Sequence, residues 1–582
     1  MVGIEDQLIT LLYLLAIATV VGVVSARRER IQYTTGLIVT GLLISVVGSP
    51  VDVELTSDFI LLVLLPILIF NEAVNIDPRG FRENLGPILA LAVPGLLVSI
   101  AIVAVASRFL FGFPLVIAIL FGVIIMPTDP VSVLATFDDI GAPERLAVLV
   151  EGESLLNDGV SIVVYSSVLA IVLEAESAGV ALGEIYTHGR LLRDVAIGIT
   201  VAVVGGALVG AVAGYVATEL VAFADDSLTT IVVSVGLAYG VYVFLDVLGS
   251  SGVIGTLTAG IFLASPSGTT ELPPATHFTL ENVWEYAAVL ANTIIFVGIG
   301  IVTPIALQVE SAGHVAAAIV LVFFARAVVI YPLVELLNRW LIDSIPRSYQ
   351  HVLTWSGIHA SVSIALILGV SETGAISDPL AAQLTAMVFG VAAFTLLVNG
   401  PTMGRLLDRL EIGQRTPPQR LYESLVGRLH GVDAALDTAE RLHEDDEISE
   451  SVFEDVTAVY RRERDELEAA LESLLDRYPD VRRHEERLGT RRILVAEHRA
   501  INEAIQRGDI GGDVGDRLLD DVKVKLDRVL TDEWTATEPT PTDFTPYWRR
   551  ELEAVSLDDG NEAVQAGTSR PDDGSKAGDR QS

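Results

Sequence analysis

The sequence predicts an all-α polytopic membrane protein with a cytoplasmic helical region at its C-terminal end, and three observations predict it. Apolar segments of about 17 to 25 residues, the length a helix needs to cross a bilayer, recur from Leu8 to Gly404. Of the 582 residues, 51% are hydrophobic, and the mean hydropathy is +0.53. After Gly404 the apolar runs stop and an amphipathic, charge-rich pattern takes over.

About thirteen spans are expected, at residues 8–25, 33–49, 58–76, 85–107, 113–136, 146–173, 193–218, 227–247, 250–265, 284–304, 314–340, 349–370 and 381–404. The first is read as retained, because its charges follow the apolar run and no small-residue cleavage site is evident. Orientation follows from arginine placement, since basic loops stay in the cytoplasm. With the N-terminus outside, Arg27, Arg28, Arg30, Arg79, Arg82, Arg145, Arg339, Arg347, Arg405 and Arg409 lie inside. Only Arg108, Arg190 and Arg193 then lie outside, and the C-terminal region is cytoplasmic.

The organisation expected is a transmembrane domain over 1–411, a cytoplasmic helical domain over 412–534, and an acidic, largely disordered tail over 535–582. Turns in the helical part are expected at Tyr478-Pro479 and at Gly508 to Gly515. The net charge of −36 is spread along the whole chain, −16 after residue 411 and −20 before it. Only three lysines occur, Lys523, Lys525 and Lys576. Such acidity fits a cell living in concentrated salt, where self-repulsion is screened, and argues against nucleic acid as a partner. The chain has no cysteine, which excludes disulfides, thiol catalysis and thiolate metal sites.

The chemistry concentrates in the sixth span, where Glu151-Gly152-Glu153-Ser154-Leu155-Leu156-Asn157-Asp158 precedes an apolar run. A charge near a bilayer centre costs about 2.5 to 3.5 kcal/mol on insertion scales, so such residues bind ions, carry protons or pair with one another. Glu151, Ser154 and Asp158 share one helix face, and Glu153 and Asn157 the adjacent one. Asp158 lies near the middle of the span, and Glu151 lies about 10 Å nearer the cytoplasm. Two other spans are interrupted. The fifth contains Pro127-Thr128-Asp129-Pro130, whose prolines remove backbone donors, and the twelfth contains Ser356-Gly357-Ile358-His359-Ala360-Ser361. Both would be fifth in their half if six-span halves start at the first and eighth spans, which is the inverted-repeat plan of secondary transporters. Asp158, Ser154, Glu72 and the Thr128 carbonyl would offer a hard cation such as sodium only oxygen donors.

These segments resemble those of the NhaP/NHE-type monovalent cation/proton antiporters. The likeness covers roughly residues 8 to 410 and rests above all on the Glu151 to Asp158 stretch. Leu65 to Phe70 with Glu72 to Asp77, Thr128-Asp129-Pro130-Val131, Ala291 to Phe296, and Arg326 with Tyr331-Pro332 add to it in order. The resemblance implies sodium (or lithium) exchange for protons by alternating access, with membrane lipid as surroundings and no cofactor beyond the transported Na+ and H+. It implies that Asp158 and Asn157 form the ion-binding pair, with Ser154, Glu72 and the Thr128 carbonyl completing coordination. It further implies a homodimer with a dimerisation domain and a moving six-helix core, and electroneutral exchange from the Asn-Asp pair. Potassium exchangers share these motifs.

In one place the chain departs from that pattern. Relatives carry Gly-Leu-Arg-Gly in the twelfth span, where this sequence has Gly357-Ile358-His359-Ala360. The family arginine is thought to pair with the residue matching Glu153; His359 could replace that pairing only when protonated, and its plainer reading is a satisfied polar residue, so the partner of Glu153 stays open. Structural alternatives stand beside the functional readings: Asp129 as a helix cap, Ser154 bonded back to its own helix, Thr128 as a turn residue, Glu153 and Arg326 as charges positioning helices. An enzyme is not expected, since no Walker lysine loop, His-Glu-x-x-His or Gly-x-Ser-x-Gly occurs. A cation channel would need no proton counterflow.

Overall fold

The computed structural model describes residues 4–27, 32–48, 55–177, 193, 196–224, 226–264, 274–341, 343–413, 417–530, 545–547 and 549–550. Arg28, Arg30 and Arg190, which enter the orientation argument, and nearly all of the tail 535–582 lie outside these residues. The chain forms two compact units, one of Met1–Trp340 with Ile345–Gln414, the other of Leu341–Ser344 with Arg415–Ser582.

The first unit is a bundle of apolar helices. They are α1 (Ile4–Arg27), α2 (Tyr33–Val47), α3 (Phe59–Asn75), α4 (Leu85–Phe111), α5 (Leu115–Ile125), α6 (Val131–Ile140) and α7 (Glu144–Ser177). They continue as α8 (Ala196–Ala224), α9 (Ser227–Val247), α10 (Gly252–Ala264), α11 (Pro274–Val302), α12 (Ala312–Asn338), α13 (Arg347–Trp355), α14 (Ser361–Thr373) and α15 (Asp378–Arg409). Among the described residues, seven helices are long and apolar enough to cross a membrane, and the apolar remainder are shorter. Large side chains such as Phe109, Val212, Phe223 and Val320 lie exposed on the bundle, as they must where lipid rather than water is the solvent.

Two interruptions shape the bundle. The chain leaves α5 at Ile125 and resumes helix only at Val131, and it leaves α13 at Trp355 and resumes only at Ser361. Pro127 and Pro130 account for the first, since neither has an N–H to continue a helical ladder. Among the described residues four helices also contain a wide π-turn, at Phe59–Leu64, Leu91–Gly95, Val201–Gly205 and Thr395–Asn399. Pro94 lies inside the second and explains it; the periodicity of the sequence marks none of the others.

Two groups of helices emerge from the packing. α2 packs on α1 and α11, α3 on α10 and α11, and α10 on α8 and α9; α4 packs on α5 and α12, α5 on α7, and α15 on α12 and α14. The groups touch where α7 meets α10 and where the first turn of α3 meets α14. The first group is held by small residues and one aromatic knot. Gly206, Gly210 and Gly214 of α8, four residues apart on one face, lie against the carbonyls of Ser251, Gly255 and Ala259 on α10. Phe70 packs on Trp284 with ring centroids 4.5 Å apart, and the indole N–H donates to Ser234 Oγ at 2.9 Å.

The second unit contains α16 (Pro417–Glu444), α17 (Glu450–Arg477), α18 (Pro479–Arg507) and α19 (Gly512–Leu530). α16 pairs with α17, and α18 with α19 around Leu494, Val522, Leu526 and Val529. The turns after Arg477 and Arg507 fall at the proline and glycine signals. The turn between α16 and α17 has no such signal: it passes through Asp446 at φ +59°, a left-handed conformation that Asp tolerates better than most residues.

The tightest crossing is that of α2 with α11. A Cβ placed on Gly300 would lie 2.7 Å from the Ile38 carbonyl oxygen and 2.8 Å from Gly41 Cα, both immovable backbone atoms. Gly300→Val is therefore expected to destabilise the protein by about 1 to 3 kcal/mol, read as a lowered thermal transition in detergent. Gly236→Ala, whose Cβ meets nothing within 4 Å, should leave that transition in place.

Candidate functional site

The two interrupted segments cross each other, and their backbone groups are satisfied across the crossing. Asp129 N–H donates to the Ile358 carbonyl at 2.7 Å. The His359 ring bonds the Pro127 carbonyl through Nδ1 at 2.7 Å, and His359 N–H donates to Thr395 Oγ1 at 3.1 Å. Thr395 opens the last π-turn, so that irregularity supplies an acceptor to the break. Asn399, at its other end, donates to the Trp355 carbonyl at 2.9 Å.

Asp129 lies where α6 and α14 both begin. Its Oδ1 accepts from Val131 N–H at 3.1 Å, and its Oδ2 accepts from Ser361 Oγ at 2.6 Å. A carboxylate there answers the partial positive charge of two helix N-termini at once. Ser361, the first residue of α14, is a partner that sequence reasoning did not single out.

α7 brings the sixth-span residues against this crossing. Ser154 does not bond back to its own helix; its Oγ donates to the Thr128 carbonyl at 2.8 Å and lies 2.8 Å from Thr128 Oγ1. Asn157 Nδ2 donates to Thr128 Oγ1 at 3.3 Å, and Asn157 Oδ1 accepts from Ser161 Oγ at 3.3 Å. The donor assignments form one chain: Asn157 amide to Thr128 hydroxyl, Thr128 hydroxyl to Ser154 hydroxyl, Ser154 hydroxyl to Thr128 carbonyl. Ser154, Asn157 and Thr128 are all buried. Close approach of α7 needs small residues, and Gly152 and Gly159 provide it: a Cβ on them would meet Ile88 at 2.7 Å and Ile254 at 2.9 Å.

Asp158 follows Asn157 on α7. Its Oδ1 is buried and has no protein hydrogen-bond partner. Asp129 and the Tyr242 hydroxyl of α9 lie within electrostatic range of it, and the sequence gives no signal for Tyr242. Glu72, on α3 in the other helix group, lies within electrostatic range of Glu151, Asp129 and Asp158. Glu151, two turns towards the start of α7, is half-buried. Among the described residues no group of three or more His, Cys, Asp or Glu is arranged to hold a metal ion. What α7 and the crossing bring together is instead a set of hydroxyls, an amide and a carbonyl, with the Asp158 carboxylate on the next residue of α7.

The structure pairs Glu153 with Arg326 of α12, with Nη2 3.2 Å from Oε1 and 3.3 Å from Oε2, and the same Nη2 donates to the Leu353 carbonyl at 2.8 Å. His359 makes no bond to Glu153; its Nδ1 bonds the Pro127 carbonyl. Arg326 reaches Glu153 past Gly357, where a Cβ would lie 2.5 Å from the guanidinium Nε. A small cavity lined by Ser99, Met126, Glu153, Asn157 and Arg326 separates the ion pair from the Asn157 chain.

Removing one partner of this buried pair leaves an uncompensated charge among apolar helices. Arg326→Met is expected to cost about 3 to 5 kcal/mol, and adding Glu153→Leu should recover most of that. Thermal unfolding of the detergent-solubilised variants measures both.

Comparison with known proteins shows where the chain belongs. The chain is 28% identical over 516 residues to the Na(+)/H(+) antiporter NhaG of Bacillus atrophaeus, covering 85% of this chain and 94% of that one. It is 33% identical over 435 residues to the Na(+)/H(+) antiporter ApNhaP of Aphanothece halophytica, covering 75% and 80%. The solved sodium proton antiporter MjNhaP1 from Methanocaldococcus jannaschii superposes with a TM-score of 0.56 at 17% identity, over 70% of this chain and all of that one, a likeness of fold. The family model for the transmembrane sodium/hydrogen exchanger matches residues 15–409, which hold both broken helices and all of α7, and the chain belongs to that family.

Proposed function

We propose that this multi-pass membrane protein exchanges sodium, or lithium, for protons by alternating access at one site centred on Asp158. The observation that carries this reading is the buried Oδ1 of Asp158, a carboxylate oxygen without a protein partner on the helix that packs against the crossing. A bare carboxylate in low dielectric is costly, so it takes up a cation or a proton. One group that must hold either, and cannot hold both, couples the two flows. The protein is a transporter and not an enzyme.

In this reading Asp158 and Ser154 contact sodium, Asn157 orients the Thr128 and Ser154 hydroxyls, and the Thr128 carbonyl offers its second lone pair. Glu72 joins from the facing helix group. Asp129 anchors the two half-helices, and Glu153 with Arg326 braces α7 against α12. Thirteen crossings in two inverted six-helix repeats fit the two interruptions, each fifth in its half, and their mutual crossing. The arginine distribution supports an outside N-terminus and a cytoplasmic C-terminal region. Family resemblance supports a homodimer and one-for-one exchange, and the acidity supports a salt-rich cell. A transmembrane domain to residue 411, a cytoplasmic helical domain to 534 and an acidic tail complete the assignment.

Purified protein in liposomes loaded with a pH dye tests the proposal. Sodium and lithium should each drive proton movement in the wild type; a response to potassium alone would reassign the substrate. Asp158→Asn should insert and fold but lose the sodium-driven signal, and a signal that persists removes Asp158 from the mechanism. Ser154→Ala, which deletes one oxygen donor, should raise the sodium concentration for half-maximal exchange about fivefold, the equivalent of about 1 kcal/mol.

A further inference from the structure

We infer that His359 is a positioning residue for the ion site, acting through the Pro127 carbonyl on the peptide that presents Thr128. The inference rests on the site assigned above and concerns what holds it in shape. The segment from Pro127 to Pro130 cannot brace itself: the two prolines donate nothing, and the helical ladder stops at Ile125 and resumes only at Val131. The first two of its inner peptide groups are instead held from outside. Thr128 C=O accepts from Ser154, Asp129 N–H donates to Ile358 C=O, and Pro127 C=O is held by His359.

The hydrogen-bond partners fix the state of the ring atoms. A carbonyl only accepts, so the proton must be on His359 Nδ1. The remaining nitrogen, Nε2, is buried and makes no hydrogen bond, and the charged group within electrostatic range of the ring is Arg326. Glu153 is paired with Arg326. What the ring supplies to its surroundings is therefore one N–H at one position, together with its volume. The Pro127 carbonyl and the Thr128 N–H belong to the same peptide plane. Holding that oxygen fixes the rotation of the plane from which Thr128 departs, while the next plane, which carries the Thr128 carbonyl, is held by Ser154 and Ile358; together the two anchors limit the dihedrals of Thr128.

A residue that only orients a ligand should change the concentration of sodium needed, and leave the maximal rate nearly untouched. His359→Asn keeps a donor near the Nδ1 position, whereas His359→Gln places its amide nearer Nε2. We expect His359→Gln to raise the apparent KM for sodium about tenfold, as loss of one buried hydrogen bond would. His359→Asn should stay within about twofold of the wild type. Both should keep the wild-type kcat and the shape of the pH profile. The pair is chosen because both variants are polar, uncharged and similar in bulk, so neither mere volume nor charge separates them. Equal KM values for the two, a loss confined to kcat, or a pH profile flattened in both would overturn the inference. The outcome is distinct from failure of the site assignment itself, which would show as sodium-driven exchange surviving Asp158→Asn. A third variant, His359→Phe, keeps the ring without the donor and should match His359→Gln; if it does not fold, the Asn and Gln comparison still decides.

Discussion

Everything at the centre of this molecule depends on one constraint: a backbone interrupted at membrane depth has polar groups that no water will satisfy. Two helices are interrupted, and each solves the problem of the other. The Asp129 N–H, orphaned by the break in one, finds the Ile358 carbonyl, orphaned by the break in the other. Ser361, at the start of α14, finds the carboxylate that caps α6. Neither break would be tolerable alone, so the crossing is a single cooperative unit. It must move, if it moves, as one body with the helices packed on it.

That requirement explains the distribution of small residues. α7 must approach the crossing closely enough for Ser154 to reach a main-chain oxygen, and Gly152 and Gly159 permit its approach to Ile88 on one side and Ile254 on the other. Gly357 makes room for the Arg326 guanidinium on its way to Glu153. The pair cannot be rebuilt with an alanine at 357 unless Arg326 shifts. In a bilayer, helices gain nothing from burying apolar surface against one another rather than against lipid. Shape and satisfied polar groups therefore have to do the holding, and both are concentrated where α5, α7, α12 and α14 meet.

Much of this was legible in the sequence. The spans were readable because lipid imposes a length on every apolar helix, and the first interruption because two prolines three apart leave a helix no donors. The second interruption rested on one glycine and a short polar run, yet it fell at the same place. The π-turns were not legible, apart from the one containing Pro94, since an extra residue in a helical turn leaves no compositional mark. The partner of Glu153 stayed open in the sequence for an instructive reason. Position along the chain suggested the twelfth span, where relatives carry an arginine, but an arginine on α12 reaches the same carboxylate, and the choice is made by three-dimensional packing. Tyr242 and Thr395 were invisible because hydroxyls of that kind are common in apolar helices and acquire meaning only from what they face. The turn at Asp446 was missed because its conformation is set without glycine or proline.

The disposition of charge along α7 shows how the sixth-span cluster divides its work. Glu153 and Asp158 lie five residues apart on one helix, so they point to different faces and meet different company. Glu153 meets a guanidinium and is neutralised within the protein. Asp129, on the crossing, meets an N–H and a hydroxyl at the positive ends of two half-helices. Both are compensated by groups that cannot leave. Asp158 has no such fixed partner at Oδ1. In the proposed function its compensation comes from outside the chain, and whatever supplies it travels with the site. A single carboxylate of this kind accepts one positive charge at a time, whether a proton or a sodium ion. If each passage across the membrane is made only with that charge in place, each cycle carries one positive charge each way. That is the physical content of the link between an Asn-Asp pair and electroneutral exchange: Asn157 contributes hydrogen bonds to the seat and no second charge to be balanced.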